Sequence, residues 1–296
     1  MVVSGLAGLT LVPLYWALAR VRGVPGLPVR WKCVALAFTL FFRRRAAIDL
    51  KTILLVALYP LDSTRYFELD FAWKTLSGSK MGQYLDVSSP RLLYTLLLRE
   101  APALRADLIN PDQTDLAETR QLLNAAGLLA RCRFYDCLIE DAPLSAGSYD
   151  TITSLSVVEH IPQDRQAISK MWELLKPGGR LLLTLPCAAE AYEQYIDRDE
   201  YGLRGGDKAD GVFWQRFYDK HLLAENIFSV TGQPHRQVVF GERVPGLFLT
   251  MATDKRTNRY YPFWREPYMV SLEYAYFDSV DALPGEGVIA MEFVKP

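Results

Sequence analysis

The sequence predicts an α/β fold with a mostly parallel central sheet. Residues 84–87 form a short, largely apolar run, and residues 88–90, Ser-Ser-Pro, predict a tight turn. Residues 91–100 then have the pattern of a helix. Strand, turn and helix in this order begin a βαβ unit. Hydrophobic residues make up 50 % of the 296-residue chain, which is enough for the large core that such a fold buries.

The same alternation of strand and helix continues along the chain. The predicted elements are strand 103–110, helix 114–126, strand 131–135, strand 149–155, helix 166–175 and strand 181–185. Gly127 is expected to end the first of these helices, because glycine adopts the left-handed conformation that closes helices. Residues 237–240 and 287–294 are predicted as the last two strands.

Three segments resemble class I S-adenosylmethionine-dependent methyltransferases. Asp86 and the turn after it are similar to the family's first motif, and Tyr149-Asp150 is similar to the start of its fourth strand. The run Leu174-Leu175-Lys176-Pro177-Gly178-Gly179-Arg180 is the most specific match. The chain departs from the family at residues 88–90, where glycines are usual, because serine adopts positive φ only at a cost and proline donates no N–H.

The resemblance implies a Rossmann-like methyltransferase fold: a seven-stranded, mostly parallel sheet flanked by helices, with the last two strands antiparallel. It implies S-adenosylmethionine as cofactor and methyl transfer to a small organic acceptor. Two alternatives stay open, a methyltransferase for a lipid or quinone at a membrane surface and a non-catalytic member of the fold.

Cofactor-binding residues are carried over from the family by position. The resemblance assigns this role to Asp86, Ser88, Ser89, Asn110, Asp112, Asp136, Cys137, Ser154 and Tyr66. The serine hydroxyls are expected to bind the donor's carboxylate, Asn110 or Asp112 the ribose, and Asp136 with Cys137 the adenine. The Ser154 carbonyl would meet the ammonium group, and Tyr66 would lie on a lid helix.

Helix capping is the alternative role for the side chains near the end of the second strand. Asp107 is the runner-up there for the ribose.

The candidate catalytic residues are His160, Glu159 and His221. Imidazole titrates near neutrality and can act as a general base. The alternative is that His160 caps the next helix and that His221 packs the helix over residues 219–228.

The chain divides into an N-terminal segment, residues 1–75, and a methyltransferase domain, residues 76–296, with insertions at 188–217 and 245–283. The segment contains three apolar runs, and the basic triplet at 43–45 follows the second of them. A helical cap over the domain, peripheral membrane contact through the basic residues, and a true span are the three interpretations. The aromatic insertions are expected to wall the acceptor pocket or, for the second, to bind a partner; a packed surface helix is the alternative for the first.

Net charge and cysteine content limit the classes of partner and the cellular compartment that the sequence predicts. A net charge of −1 provides no electrostatic basis for binding nucleic acid. The four cysteines lack metal-ligand spacing and are expected to be reduced thiols of a cytoplasmic protein, with membrane association through the N-terminal segment as the alternative. No metal is predicted, and the sequence does not indicate an oligomeric state.

Overall fold

The computed structural model describes residues 2–43, 48–61, 63–79, 81–197, 211–258 and 265–296. Two arginines of the basic triplet, Arg44 and Arg45, lie outside these ranges, as do residues 198–210 of the first insertion and 259–264 of the second.

One large sheet forms the centre of the described structure. Its strands are β1 (Gln83–Val87), β2 (Arg105–Ile109), β3 (Cys132–Tyr135), β4 (Tyr149–Leu155), β5 (Leu175–Cys187), β8 (Arg236–Glu242), β9 (Tyr274–Phe277) and β10 (Gly287–Val294). Their order is β3-β2-β1-β4-β5-β10-β8-β9. The strands from β3 to β5 run parallel, and β10, β8 and β9 each pair antiparallel with their neighbours. The Rossmann-like α/β prediction is confirmed.

The prediction of seven strands is wrong, because the sheet has an eighth. The additional strand is β9, which pairs with the outer edge of β8. Its aromatic residues favour extended backbone, and Tyr274 is buried with its ring stacked 5.7 Å from that of Phe240. Packing against the neighbouring strand, a contact distant in sequence, therefore makes this aromatic run part of the sheet.

Helices cover both faces of the sheet. They are α1 (Val2–Val21), α2 (Leu27–Arg43), α3 (Leu50–Leu58), α4 (Arg65–Leu76), α5 (Arg91–Glu100), α6 (Gln113–Ala126), α7 (Asp164–Leu174), α8 (Lys220–Leu222), α9 (Ser229–Thr231), α10 (Leu247–Thr257) and α11 (Glu266–Glu273), with a π-helical stretch, Leu223–Phe228, between α8 and α9. Gly127 ends α6 with φ 75°, as predicted.

The first insertion contains a β-hairpin where the alternative interpretation expected a surface helix. Strands β6 (Tyr192–Ile196) and β7 (Val212–Phe217) pair antiparallel. The rings of Tyr192 and Phe217 stack 4.5 Å apart. Arg216 ties the hairpin to α7 through an ion pair with Asp164 at 2.6 Å.

Helices α1–α3 pack against the rest of the fold through a shared hydrophobic cluster. Arg30 of α2 lies at the centre of this contact and is buried. Its guanidinium donates to the Tyr66 hydroxyl at 2.9 Å and to the Leu58 carbonyl, and it lies 4.7 Å from the Trp16 ring. One side chain thereby joins α1, α2, the end of α3 and α4.

Among the described residues, no helix combines the length and the apolar character needed to cross a bilayer.

Candidate functional site

A cavity of about 600 Å³ lies at the carboxyl ends of β1, β2 and β4. β1 and β4 are neighbours in the sheet, but the chain continues from β1 toward β2 and from β4 toward β5, on opposite sides. A crevice opens at such a divergence, and ligands of α/β proteins bind there. The walls include Arg65, residues 87–92, 109–112, Asp115, 138–140, 155–157 and 160–163.

Ser88 begins the turn after β1 in the left-handed region, with φ 53°. Its N–H and its hydroxyl both donate to the Ile109 carbonyl, at 2.9 and 3.1 Å. The backbone therefore takes the conformation that glycine would adopt freely, although serine occupies the position. The hydrogen bonds to β2 hold this strained residue in place.

Ser89 joins β1 to β4 beyond the last paired residues of the two strands. Their register ends at Asp86 opposite Thr153. Past that point the Ser89 hydroxyl accepts from the Leu155 N–H at 3.0 Å. The hydroxyl thus acts like a strand carbonyl. Both residues line the cavity, but each hydroxyl already forms a hydrogen bond with a backbone group. The predicted contacts of the two hydroxyls with the donor therefore remain predictions.

The Asp86 side chain stabilises the turn after β1 and does not line the cavity. The carboxylate is buried and accepts from the Ser89 N–H at 2.9 Å, the Tyr84 hydroxyl at 3.0 Å and the Thr153 hydroxyl at 2.6 Å. Burial raises the pKa of Asp86 to about 6 despite these hydrogen bonds.

Asn110 and Asp112 line the cavity at the end of β2, where the ribose-binding side chain was predicted. Asp112 Oδ1 accepts from the N–H groups of Thr114 and Asp115 and so caps α6, which leaves Oδ2 for a ligand. Asn110 donates to Asp115 at 2.9 Å.

Asp107 lies outside this wall. It binds Arg133 in two hydrogen bonds and accepts from the Tyr149 hydroxyl. The runner-up position is therefore engaged with other strands of the sheet.

The loop after β3 contributes Glu140 to the wall, a residue that sequence reasoning did not single out. Its Oε2 is buried and finds no hydrogen-bond partner among the described residues. Burial raises the pKa of Glu140. Asp136 is exposed and accepts from Gln113 at 2.7 Å, and neither it nor the half-buried Cys137 lines the cavity.

A second serine in the left-handed region, Ser156 with φ 51°, forms the wall after β4. Its hydroxyl donates to Glu68, a buried carboxylate of α4. Glu68 also accepts from Thr184 at 2.6 Å and pairs with Arg65 at 2.9 Å. The wall after β4 is therefore fixed to α4 and β5 together.

Two of the predicted cofactor-binding residues are buried near this wall without lining it. Ser154 lies one residue before the wall on β4, and its hydroxyl finds no partner among the described residues. Tyr66 is buried and accepts from Arg30.

His160 is the imidazole that lines the cavity. Its Nδ1 lies 2.7 Å from the Trp214 carbonyl of β7. Because a carbonyl only accepts, this contact assigns the proton to Nδ1 and the lone pair to Nε2. The imidazole ring of His160 and the indole ring of Trp214 meet edge-on, with 4.8 Å between their centroids. His221, on the exposed side of α8, does not line the cavity.

Glu159 is buried beside His160, with 3.9 Å between Oε1 and the His160 Nε2. Its Oε2 finds no hydrogen-bond partner within the described part of the chain. Burial, and then repulsion from Glu68, raises the pKa of Glu159 to about 8. The side chain is therefore mostly protonated at neutral pH.

The two arginines of the wall are neutralised by carboxylates. Arg65 pairs with Glu68, and Arg91 pairs with Asp115 and Glu118. Asp112 and Glu140 add acceptor oxygens to the wall, so the cavity is not strongly cationic. Sequence reasoning missed Arg65, Arg91 and Asp115 as wall residues, although an arginine directly after the first turn and an aspartate in the next helix's first turn were visible signals.

The structure thus brings five of the predicted residues to one cavity. These are Ser88, Ser89, Asn110, Asp112 and His160. Asp86, Ser154 and Glu159 are each adjacent in sequence to a wall residue and buried.

Comparison with known proteins assigns the segment that forms most of the cavity wall to a known domain family. Residues 85–183, a third of the chain, match the model described as "Methyltransferase domain". The chain is 39 % identical over 64 residues to a ubiquinone biosynthesis O-methyltransferase of Nitrosococcus oceani, which is 21 % of this chain and 27 % of that protein. It is 28 % identical over 107 residues to a ubiquinone/menaquinone biosynthesis C-methyltransferase of Cereibacter sphaeroides, 33 % of this chain and 42 % of that protein. The chain spans less than half the length of these relatives.

Solved structures share the fold. The geranyl diphosphate C-methyltransferase of Streptomyces coelicolor, crystallised with S-adenosyl-L-homocysteine, superposes with a TM-score of 0.52 at 12 % identity, over 85 % of this chain and 84 % of that one. A geranyl diphosphate methyltransferase in complex with S-adenosylmethionine superposes with a TM-score of 0.53 at 10 % identity, over 85 % and 94 % of the two chains.

The strain at Ser88 predicts an unusual order of stability. Ser88→Gly and Ser88→Ala both lose the hydroxyl bond to Ile109, but only alanine keeps a Cβ at positive φ. We expect the glycine variant to be more stable than the alanine variant by about 1 kcal/mol in urea unfolding. The glycine and alanine variants of Ser169, an exposed residue in the middle of α7, are the control. There the alanine variant should be the more stable by about 1 kcal/mol. Equal or reversed stabilities at position 88 would contradict the strain.

The raised pKa of Glu159 predicts a pH-dependent stability. Between about 4.5 and 8 the unfolded chain loses the Glu159 proton and the folded protein keeps it, so the free energy of unfolding falls as pH rises. The slope reaches at most about 1.4 kcal/mol per pH unit. We expect Glu159→Gln to flatten the decline measured between pH 6 and 8, above the pKa of Asp86. Glu225→Gln, which removes an exposed carboxyl, is the control. A wild-type slope retained in Glu159→Gln would contradict the assignment.

Proposed function

We propose that the protein is an S-adenosylmethionine-dependent methyltransferase acting on a small organic acceptor, on the premise that residues 85–183 are a methyltransferase domain in a Rossmann-like fold. The observation that carries the proposal is the position of the cavity. Apart from Arg65, every residue of its wall belongs to the matched segment, and the cavity opens where β1 and β4 diverge.

The wall residues fit the donor. A volume of about 600 Å³ is typical of a pocket for a small organic ligand. Asp112 Oδ2 and the Asn110 side chain suit the ribose hydroxyls, because carboxylate and amide oxygens accept from them. Leu138 and Ile139 provide apolar surface for the adenine ring, and the bare Glu140 Oε2 suits its amino group.

The charges of the wall fit as well. When bound, S-adenosylmethionine supplies an electrophilic methyl group on a positively charged sulfur. Ion pairing of Arg65 and Arg91 keeps uncompensated cations away from that charge. The walls then need mainly to hold donor and acceptor aligned at near-attack distance and to exclude water.

His160 is the general base of this proposal where the acceptor must lose a proton. Its lone pair is on Nε2 because Nδ1 donates to the Trp214 carbonyl. Burial of the neighbouring Glu159 raises the pKa of that carboxyl and so favours its neutral form. The hairpin β6–β7 therefore sets the tautomer that proton abstraction requires.

Methyl transfer to a lipid or quinone at a membrane surface is the second candidate function. Two observations favour it: the curated relatives are named for ubiquinone or menaquinone biosynthesis, and α1–α3 expose apolar side chains. A non-catalytic role remains the alternative from another class. Binding of S-adenosylmethionine to the purified protein, measured by calorimetry, separates it from both enzymatic roles.

Donor binding is tested first by calorimetric titration with S-adenosylmethionine, in which Asp112 offers a matched pair. Asp112→Ser keeps an oxygen that caps α6 but is too short for the ribose, whereas Asp112→Ala loses both contacts. We expect both variants to bind the donor about five- to 150-fold more weakly, a loss of about 1–3 kcal/mol. Only the alanine variant should lose about 1 kcal/mol of stability as well. Unchanged affinity in both would remove Asp112 from the site.

A second pair in the same titration decides the adenine contact. Glu140→Ala removes the buried acceptor on the wall, and Asp136→Ala removes the exposed carboxylate that was expected from the sequence. The larger loss of affinity is expected for Glu140→Ala, and the opposite order would return the contact to Asp136. Absence of donor binding by the folded, unmodified protein would reject methyl transfer altogether.

His160→Asn tests the base, because the asparagine amide can still donate toward the Trp214 carbonyl but offers no equivalent of Nε2. The acceptor is first identified by incubating the protein and methyl-labelled donor with a host metabolite extract, with and without its lipid fraction. With that acceptor, we expect kcat to fall roughly 10²- to 10⁴-fold and its rise with pH to disappear, while donor affinity is unchanged. An unchanged kcat would leave His160 a structural residue.

A further inference from the structure

We propose that helices α1–α3 dock the protein on a bilayer that contains anionic lipids. The first observation is a charge asymmetry along the chain. Residues 1–61 contain eight Lys or Arg residues and a single acidic residue, Asp49, a net charge of +7, whereas the whole chain has −1. The remaining residues therefore carry −8. Among the described residues of this segment, Arg20, Arg22, Arg43 and Lys51 are exposed, whereas Arg30 is buried. Exposed basic residues are attracted to the negative surface of anionic membranes.

The second observation is an apolar stripe on the outer face of α2. Trp31, Ala35, Phe38 and Phe42 recur at helical spacing and all point to solvent. Trp31 is 58 % exposed, Phe38 61 % and Phe42 76 %. Large aromatic side chains left outside a well-packed core mark a surface that binds something, and Trp is enriched where proteins meet the membrane interface.

A similar stripe follows α1. Its members are Leu11, Leu14, Leu18 and Val21, again at helical spacing and exposed. Helix α1 lies beside α2, since the rings of Trp16 and Trp31 meet edge-on at 4.3 Å. Arg20, Arg22 and Lys51 are exposed near the ends of these helices, where headgroup phosphates would lie.

Other side chains of the helices pack into the fold. Buried Arg30 connects all three helices with α4, and Val29, Cys33, Leu36 and Leu40 of α2 are buried in the main hydrophobic cluster. The stripes are therefore the outer surface of a fixed structure. Insertion into the headgroup region would bury the two stripes without breaking any described contact.

A second copy of the chain suits this surface less well than a bilayer does. In a symmetric dimer each partner presents the same patch, so the exposed basic residues of the two copies would face one another. Like-charge repulsion opposes that arrangement. A lipid surface offers the opposite charge and an apolar layer beneath it.

Helix α3 also borders a cavity that adjoins the candidate active site. A second cavity of about 590 Å³ is lined by Leu55, Val56 and Tyr59 at α3 and its end, and it shares Arg91 and Leu92 with the first cavity. Leu50 and Leu54 on α3 are exposed. A bilayer held by these helices would therefore lie near the cavities, although docking itself does not depend on methyl transfer.

Vesicle sedimentation with the full chain tests the proposal. The probes are vesicles of phosphatidylcholine alone and vesicles with about 30 % phosphatidylserine. We expect at least about tenfold tighter binding to the second kind, and its loss in about 1 M salt.

Matched variants separate the contributions of the stripe and of the charge. Phe38→Ser with Phe42→Ser should bind at least about tenfold more weakly, and Val244→Ser with Leu249→Ser, which changes equally exposed apolar residues elsewhere, should bind like the wild type. Arg20→Glu with Arg22→Glu should weaken binding to phosphatidylserine vesicles similarly, and Arg165→Glu with Lys220→Glu is its control.

Each contrary result overturns the proposal. Absence of binding to either vesicle, or equal binding by the stripe variant and its control, would reject it. Self-association in ultracentrifugation that the phenylalanine substitutions abolish would assign the stripe to a second copy instead. If the serine variant fails to fold by circular dichroism, the arginine pair decides, because its side chains are exposed. Donor titration is independent of all these results, so failure of docking leaves the proposed function intact.

Discussion

The join between β1 and β4 is the constraint on which the candidate site depends. The two strands run parallel only as far as Asp86 and Thr153, and the chain then leaves in opposite directions. A crevice between diverging loops exposes backbone groups that the sheet no longer pairs. Ser89 resolves this by accepting from the Leu155 N–H, and Asp86 holds Ser89 by accepting from its N–H. Two side chains therefore stabilise the turn after β1 that forms part of the cavity wall.

Four of the buried or partly buried acids around the cavity, Asp86, Glu68, Glu140 and Glu159, divide into two kinds. Asp86 and Glu68 each accept several hydrogen bonds and fix the turns after β1 and β4. Glu140 and Glu159 each keep one oxygen without a partner among the described residues, and burial raises the pKa of both. A bare buried oxygen costs free energy. Acids of the first kind stabilise the walls, whereas those of the second are suited to meet a ligand or a proton.

Local signals in the sequence located every strand in the parallel half of the sheet, although β5 begins at Leu175 and was predicted only from residue 181. Tyr149–Leu155 was predicted to the residue, and Gly127 ends α6 because the left-handed closure needs glycine. Contacts between segments distant in sequence could not be predicted from such local signals. β9 exists because Tyr274 packs on Phe240, and Glu140 reaches the cavity through the path of a loop. The serines at 88 and 156 show the limit most clearly: both take positive φ, which tertiary hydrogen bonds impose against local preference.

The N-terminal helices extend the same reasoning to the whole molecule. Burying Arg30 has a large desolvation cost, so Tyr66, the Leu58 carbonyl and the Trp16 ring must stay in place to offset part of it. That requirement fixes α2, α3 and α4 relative to one another. The orientation that buries Arg30 and Leu36 necessarily directs Phe38 and Phe42 outward, because these positions lie on opposite faces of one helix. Exposure of the aromatic stripe is thus a consequence of how α2 is anchored, and any partner for the stripe must approach from outside the fold.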